Sequence, residues 1–154
     1  MVVAVLALVG LLPALLWPQP ALADRHGRIV APGGVALDGF DPVAYFQDGA
    51  ARPGDPAIAL RWRGVRWHFT TPTHRSAFEA NPKAYLPAFG GHCPVSVAGG
   101  DPRPADPRHW AIVEGRLYIA AEPAALARFK AHADRLRQAA KAQWTGPPRL
   151  AVGD

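Results

Sequence analysis

One cysteine, Cys93, stands in the run Phe89-Gly90-Gly91-His92-Cys93-Pro94. The paired glycines let the backbone turn sharply before it. Pro94 suits the first position of a helix continuing through Val95, Ser96, Val97 and Ala98. Cys93 is therefore expected at a helix N-cap, where free amides and the positive end of the helix dipole favour an anion. A thiol so placed ionises more easily, and a thiolate is both a nucleophile and a soft metal ligand. Three readings follow for Cys93: a small apolar core residue, a metal ligand, or a reactive thiol.

His92 is its neighbour in sequence. Adjacent side chains rarely aim at one point, so the pair is not by itself a Cys/His dyad. Both can serve one metal ion if distant residues help, and Asp38, Asp41 and His74 are the weaker candidates, with His109 a further one. No C-x-x-C, H-x-x-x-H or H-E-x-x-H spacing is present. A closed structural zinc site takes about four ligands, which one cysteine poorly supplies. A copper site of one thiolate with histidine fits better. The chain also lacks G-x-S-x-G, a phosphate loop and a dinucleotide glycine fingerprint, so the residues lean away from an enzyme. Asp38, Asp41, Asp101 and Asp106 stand beside glycine or proline and read as turn formers.

The elements that must position these residues are short. Ile58, Leu60 and Trp62 alternate with Ala59, Arg61 and Arg63, and past Gly64 the residues Val65, Trp67 and Phe69 alternate with Arg66, His68 and Thr70. That is a half-buried antiparallel hairpin, with His68 expected outward on the arginine face. Thr71-Pro72 caps a helix running to Ala80, which Asn81-Pro82 ends, and a short turn follows over residues 83–86. A second hairpin spans Trp110–Val113 and Arg116–Ile119 around Glu114-Gly115. Pro123 opens a long helix to about Trp144, striped by Leu126, Phe129, Ala133, Leu136 and Ala140. The order predicts an α+β domain: a small antiparallel sheet built from two hairpins, packed with short helices and a longer C-terminal helix.

At the front, Val2 to Trp17 is almost wholly apolar, and Ala21-Leu22-Ala23 offers a small-x-small cleavage site before Asp24. Residues 1–23 are thus expected to be a signal peptide, although no basic residue precedes Arg25. Pro13, Pro18 and Pro20 argue against a spanning helix, so membrane contact is expected only if this segment stays uncleaved. Residues 24–34 read as a flexible lead-in, 35–145 as one domain and 146–154 as a disordered tail. The location implied is the periplasm or the exterior, where a lone thiol has no internal disulfide to form. The net charge is +5 in 154 residues, but its arginines are scattered and no basic run marks a nucleic-acid site.

Three stretches together resemble the exported YHS-domain proteins of bacteria: L-D-G-F-D-P-V-A-Y-F over Leu37–Phe46, the run from Trp67 through G-G-H-C at Cys93, and D-P-R-H-W-A-I-V-E-G-R-L-Y-I over Asp106–Ile119. With the last helix they cover nearly all of the chain past residue 34. The resemblance implies a small α+β domain of undefined activity. Because YHS domains occur beside metal-handling proteins such as copper transporters, it also implies a copper or zinc ion as cofactor and a metal-handling membrane protein as partner. The family's G-G-x-C cysteine falls on Cys93. Relatives carry tyrosine where His92 stands, and the paired cysteines of the cysteine-rich members are missing here. The functions that follow are a soft-metal-binding protein centred on Cys93 and His92, a thiol-dependent redox protein or enzyme using Cys93, or a non-catalytic interaction module with Cys93 buried.

Overall fold

A computed structural model describes residues 29–144. Segments 1–28 and 145–154 lie outside it, and with them the signal segment, most of the lead-in and the tail. Helix α1 spans Ala44–Gln47, strand β1 Asp55–Trp62 and β2 Val65–Phe69. Helices α2 (Pro72–Ala80), α3 (Pro82–Tyr85) and α4 (Pro94–Ala98) follow, then β3 (Trp110–Val113), β4 (Arg116–Ile119), α5 (Pro123–Ala131) and α6 (Ala133–Gln143). The class is α+β.

The β1–β2 hairpin pairs Trp62 with Val65, Arg61 with Arg66, Leu60 with Trp67 and Ala59 with His68. Arg63 and Gly64 take φ of 50° and 81°, the twist that a two-residue hairpin turn needs. Trp67 and Phe69 point to one face and pack fully buried against Phe78 of α2, with ring centroids 5.0 and 5.4 Å away. Helix α2 starts where its sequence says: Thr71 Oγ1 accepts from the His74 amide at 3.1 Å, and Pro72 fills the first turn. The second hairpin pairs Trp110 with Ile119 and Val113 with Arg116, again around a left-handed pair, Glu114 and Gly115. The two hairpins form separate two-stranded sheets. Residue-level pairing joins them to other segments, as where Pro87 bridges Leu117 of β4.

Strand β4 divides two hydrophobic clusters. Leu117 and Ile119 join Val43, Tyr45, Trp67, Phe69 and Phe78 in the larger one, while Tyr118, between them, joins Ala88, Phe129 and Leu136 in the other. The period-two alternation of a strand puts its odd and even residues on opposite faces.

Two expectations are corrected. His68 is not outward but only 8% exposed. Residues 35–39 cross the face it shares with Arg66, and a Cβ on Gly39 would lie 3.1 Å from its Nδ1. The C-terminal helix is not continuous: His132 (φ −135°, ψ 36°) separates α5 from α6. Neither proline nor glycine stands at that break. Phe129 before the break and Leu136 after it both pack in the smaller cluster.

Apart from the hairpin turns, two three-residue turns are left-handed throughout. One is Leu37-Asp38-Gly39 (φ 53°, 48°, 84°), the other Phe89-Gly90-Gly91 (φ 53°, 62°, 87°). For a non-glycine residue this conformation costs about 1–2 kcal/mol, so Leu37, Asp38 and Phe89 are held there by their surroundings.

Gly54 is the tightest glycine. A Cβ there would fall 2.5 Å from the carbonyl carbon of His68, a backbone atom with no freedom to retreat. Gly54→Ala is expected to destabilise the fold by about 1–3 kcal/mol, the range for overpacking. Chemical denaturation measures this, and an unchanged midpoint would refute the contact.

Candidate functional site

Cys93 caps α4 as its sequence indicates, with Pro94 in the first turn and its own amide donating to the Arg103 carbonyl at 3.0 Å. The residue is 2% exposed. It forms part of the floor of a groove of about 290 Å³ with Val95, Ser96, Glu122 and Ala125. Helix α4 is only five residues long, so its dipole is weak.

His92 points elsewhere. Its Nδ1 donates to the Phe89 carbonyl at 2.9 Å and its ring lies 5.4 Å from that of Trp144. It is not part of the Cys93 groove. The other candidates are dispersed too. Asp38 is exposed on its left-handed turn. His109 Nε2 lies 3.8 Å from Asp106 Oδ2. Among the described residues no three His, Cys, Asp or Glu side chains gather as metal ligands.

What the structure does bring together is Asp41 and His74, a pairing the sequence reading missed. The Asp41 carboxylate is fully buried and accepts five hydrogen bonds. Oδ1 takes the amides of Val43 (2.8 Å) and Ala44 (3.3 Å). Oδ2 takes the Thr70 amide (2.8 Å), the Thr70 hydroxyl (2.7 Å) and His74 Nδ1 (2.7 Å). A carboxylate only accepts, so His74 carries its proton on Nδ1. Its Nε2 faces Asp48 Oδ1 at 3.8 Å, and Asp48 is in turn held by Arg52 at 2.9 Å. The sequence did carry a signal: Thr71-Pro72 fixes the start of α2, which puts His74 in the first turn beside Thr70.

An oriented Asp–His pair resembles half of a hydrolytic triad. Here the outward nitrogen meets a second carboxylate, not a hydroxyl or thiol. The pair therefore clamps three segments: the Asp41–Ala44 turn, the end of β2 and the start of α2. Tyr45 extends the clamp, its hydroxyl donating to the Pro107 carbonyl at 2.9 Å. Burial, and then the nearby Asp106, Asp41 and Asp38 carboxylates, push the Tyr45 phenol well above its usual range.

A cleft of about 480 Å³ opens beside this clamp. Asp38, Phe40, Pro104, Asp106 and Arg108 line it. Hydrogen bonds from the Arg108 side chain and amide hold the Asp106 carboxyl down, from 3.8 to about 2. No family profile, curated protein or solved structure matches the chain.

Two outcomes test this account. Asp41→Asn keeps the shape but leaves buried donors facing an amide, so it is expected to cost about 3 kcal/mol in unfolding free energy; a loss under about 1 kcal/mol would show that the clamp is dispensable. Asp106 has a lowered folded value, so its contribution is present above the unfolded value and lost as pH falls from about 4 to about 2. Asp106→Asn should flatten that limb of a stability-against-pH curve while leaving the curve above pH 5 parallel to the original.

Proposed function

We propose that the chain is an exported, non-catalytic binding module of the YHS type, in which Cys93 is a core residue. The observation that carries this is the 2% exposure of Cys93 at a cap tied to the Arg103 carbonyl. A thiol in that position fills space as a small apolar side chain. The Asp41–His74 pair supports the same reading, because its hydrogen bonds are spent on joining backbone segments. The D-G-F-D-P-V-A-Y-F and G-G-H-C stretches support the YHS assignment, and residues 1–23 support export to the periplasm. Among the described residues, no helix is long and apolar enough to cross a membrane. The 480 Å³ cleft between Asp38 and the Pro104–Arg108 loop is the natural seat for a partner.

Thiol titration separates this reading from its rivals. In the native protein Cys93 is expected to react slowly with an aromatic disulfide reagent at neutral pH, and fast once the chain is unfolded. Fast native reaction without metal would favour a redox protein or enzyme. Elemental analysis of protein purified without chelator or tag completes the test. Stoichiometric copper or zinc that disappears in Cys93→Ser would replace the binding-module reading with a metal site.

A further inference from the structure

The structure assigns a second binding site, separate from the acidic cleft, for a small organic anion with a flat apolar body. A pocket of about 180 Å³ lies where the two hairpin ends meet the Phe89-Gly90 turn. Arg63, in the β1–β2 turn, and Arg116, the first residue of β4, both line it. Its apolar wall is Ile29, Leu86, Pro87, Phe89 and Trp144.

The charges here are uncompensated. Every ion pair among the described residues is made by Arg52, Arg75, Arg103, Arg108, Arg137 or a histidine, and none by Arg63 or Arg116. In the same hairpin Arg61 sits directly across from Arg66 in the register, a like-charge pairing that weakens a sheet. The Arg63 guanidinium is parked over the Trp62 ring, 4.6 Å from its centroid. Two arginines that line one small aromatic pocket with no ion-pair partner among the described residues give it the electrostatics of an anion receptor.

The chemistry names the ligand class. Guanidinium forks take a carboxylate through two parallel hydrogen bonds. The Phe89 and Trp144 rings stand edge to face, 5.7 Å between centroids and 67° between planes, which offers an aromatic guest both a face and an edge. At about 180 Å³ the pocket is below the ~300 Å³ of drug-sized sites, so the guest is a single-ring carboxylate. Phe89 reaches the pocket from a left-handed backbone (φ 53°), the kind of stored strain that clusters at ligand clamps. This inference is independent of the module reading, since neither Cys93 nor the acidic cleft contributes to the pocket.

The test is titration of the full chain with benzoate, followed by calorimetry and by tryptophan fluorescence, to which Trp144 contributes. Acetate supplies the charge without the ring, and benzyl alcohol the ring without the charge. Benzoate is expected to bind, with both controls at least about 10-fold weaker, a loss equal to one charged hydrogen bond. Arg63→Ala and Arg116→Ala should each weaken benzoate about 10-fold; the melting temperature is expected to be unchanged in Arg116→Ala, whose side chain is exposed, and slightly lowered in Arg63→Ala, which loses its contact with Trp62. Arg128→Ala, on the exposed side of α5, should leave affinity alone. No benzoate binding at millimolar concentration, equal binding of acetate, or full affinity in the Arg63→Ala/Arg116→Ala double variant would each overturn the assignment.

Discussion

A buried carboxylate has to be met by donors or it cannot stay buried. Asp41 obeys that rule with groups drawn from three parts of the chain, and much of the rest of the fold is arranged around it. Its two oxygens hold the start of α1 against the end of β2, so the hairpin cannot slide without breaking a charged hydrogen bond. The Asp41 amide donates to the Arg52 carbonyl, which brings the 48–54 loop under the same constraint. The neighbouring Gly54 amide donates to the Gly39 carbonyl at 2.8 Å, drawing the loop against β2. Helix α2 is added through His74, and through α2 comes Phe78, the centre of the aromatic packing.

The two left-handed turns depend on this frame. Leu37 is almost fully buried in the larger cluster, and that burial offsets the cost of its backbone. Its side chain also reaches the second turn, lying 3.6 Å from where a Cβ on Gly91 would stand. Each turn lines a cavity: Asp38 the acidic cleft, Phe89 and Gly90 the cationic pocket. The two concavities of opposite charge therefore share a common internal support.

Local structure was legible in the sequence. Alternation gave both hairpins and their turns, Thr71-Pro72 and Asn81-Pro82 gave the limits of α2, and Gly-Gly before Cys-Pro gave the cap at Cys93. Each of these is decided within a few residues. The burial of His68 was not legible, because it is set by residues 35–39 folding over β2 from thirty positions away. Alternation assigns a residue to a face, but it cannot say that a second segment will cover that face. Asp41 and His74 were both singled out, yet as helpers to a metal at Cys93 and not as partners of each other, since nothing local announces a partner 33 residues distant. His92 and Cys93 show the converse: adjacent in sequence, they part, Cys93 lining its groove and His92 turning back to the Phe89 carbonyl.

Strand β4 is four residues long and serves both clusters at once, with Leu117 and Ile119 in one and Tyr118 in the other. A shared wall of this kind couples the fates of the rooms it separates. If the smaller cluster loosens, Tyr118 withdraws and the pleat that seats Leu117 and Ile119 goes with it. If the larger one loosens, Phe129 and Leu136 lose their facing ring. The domain is thereby made a single cooperative unit without a continuous sheet, and the amides of β4 are the last that solvent should reach.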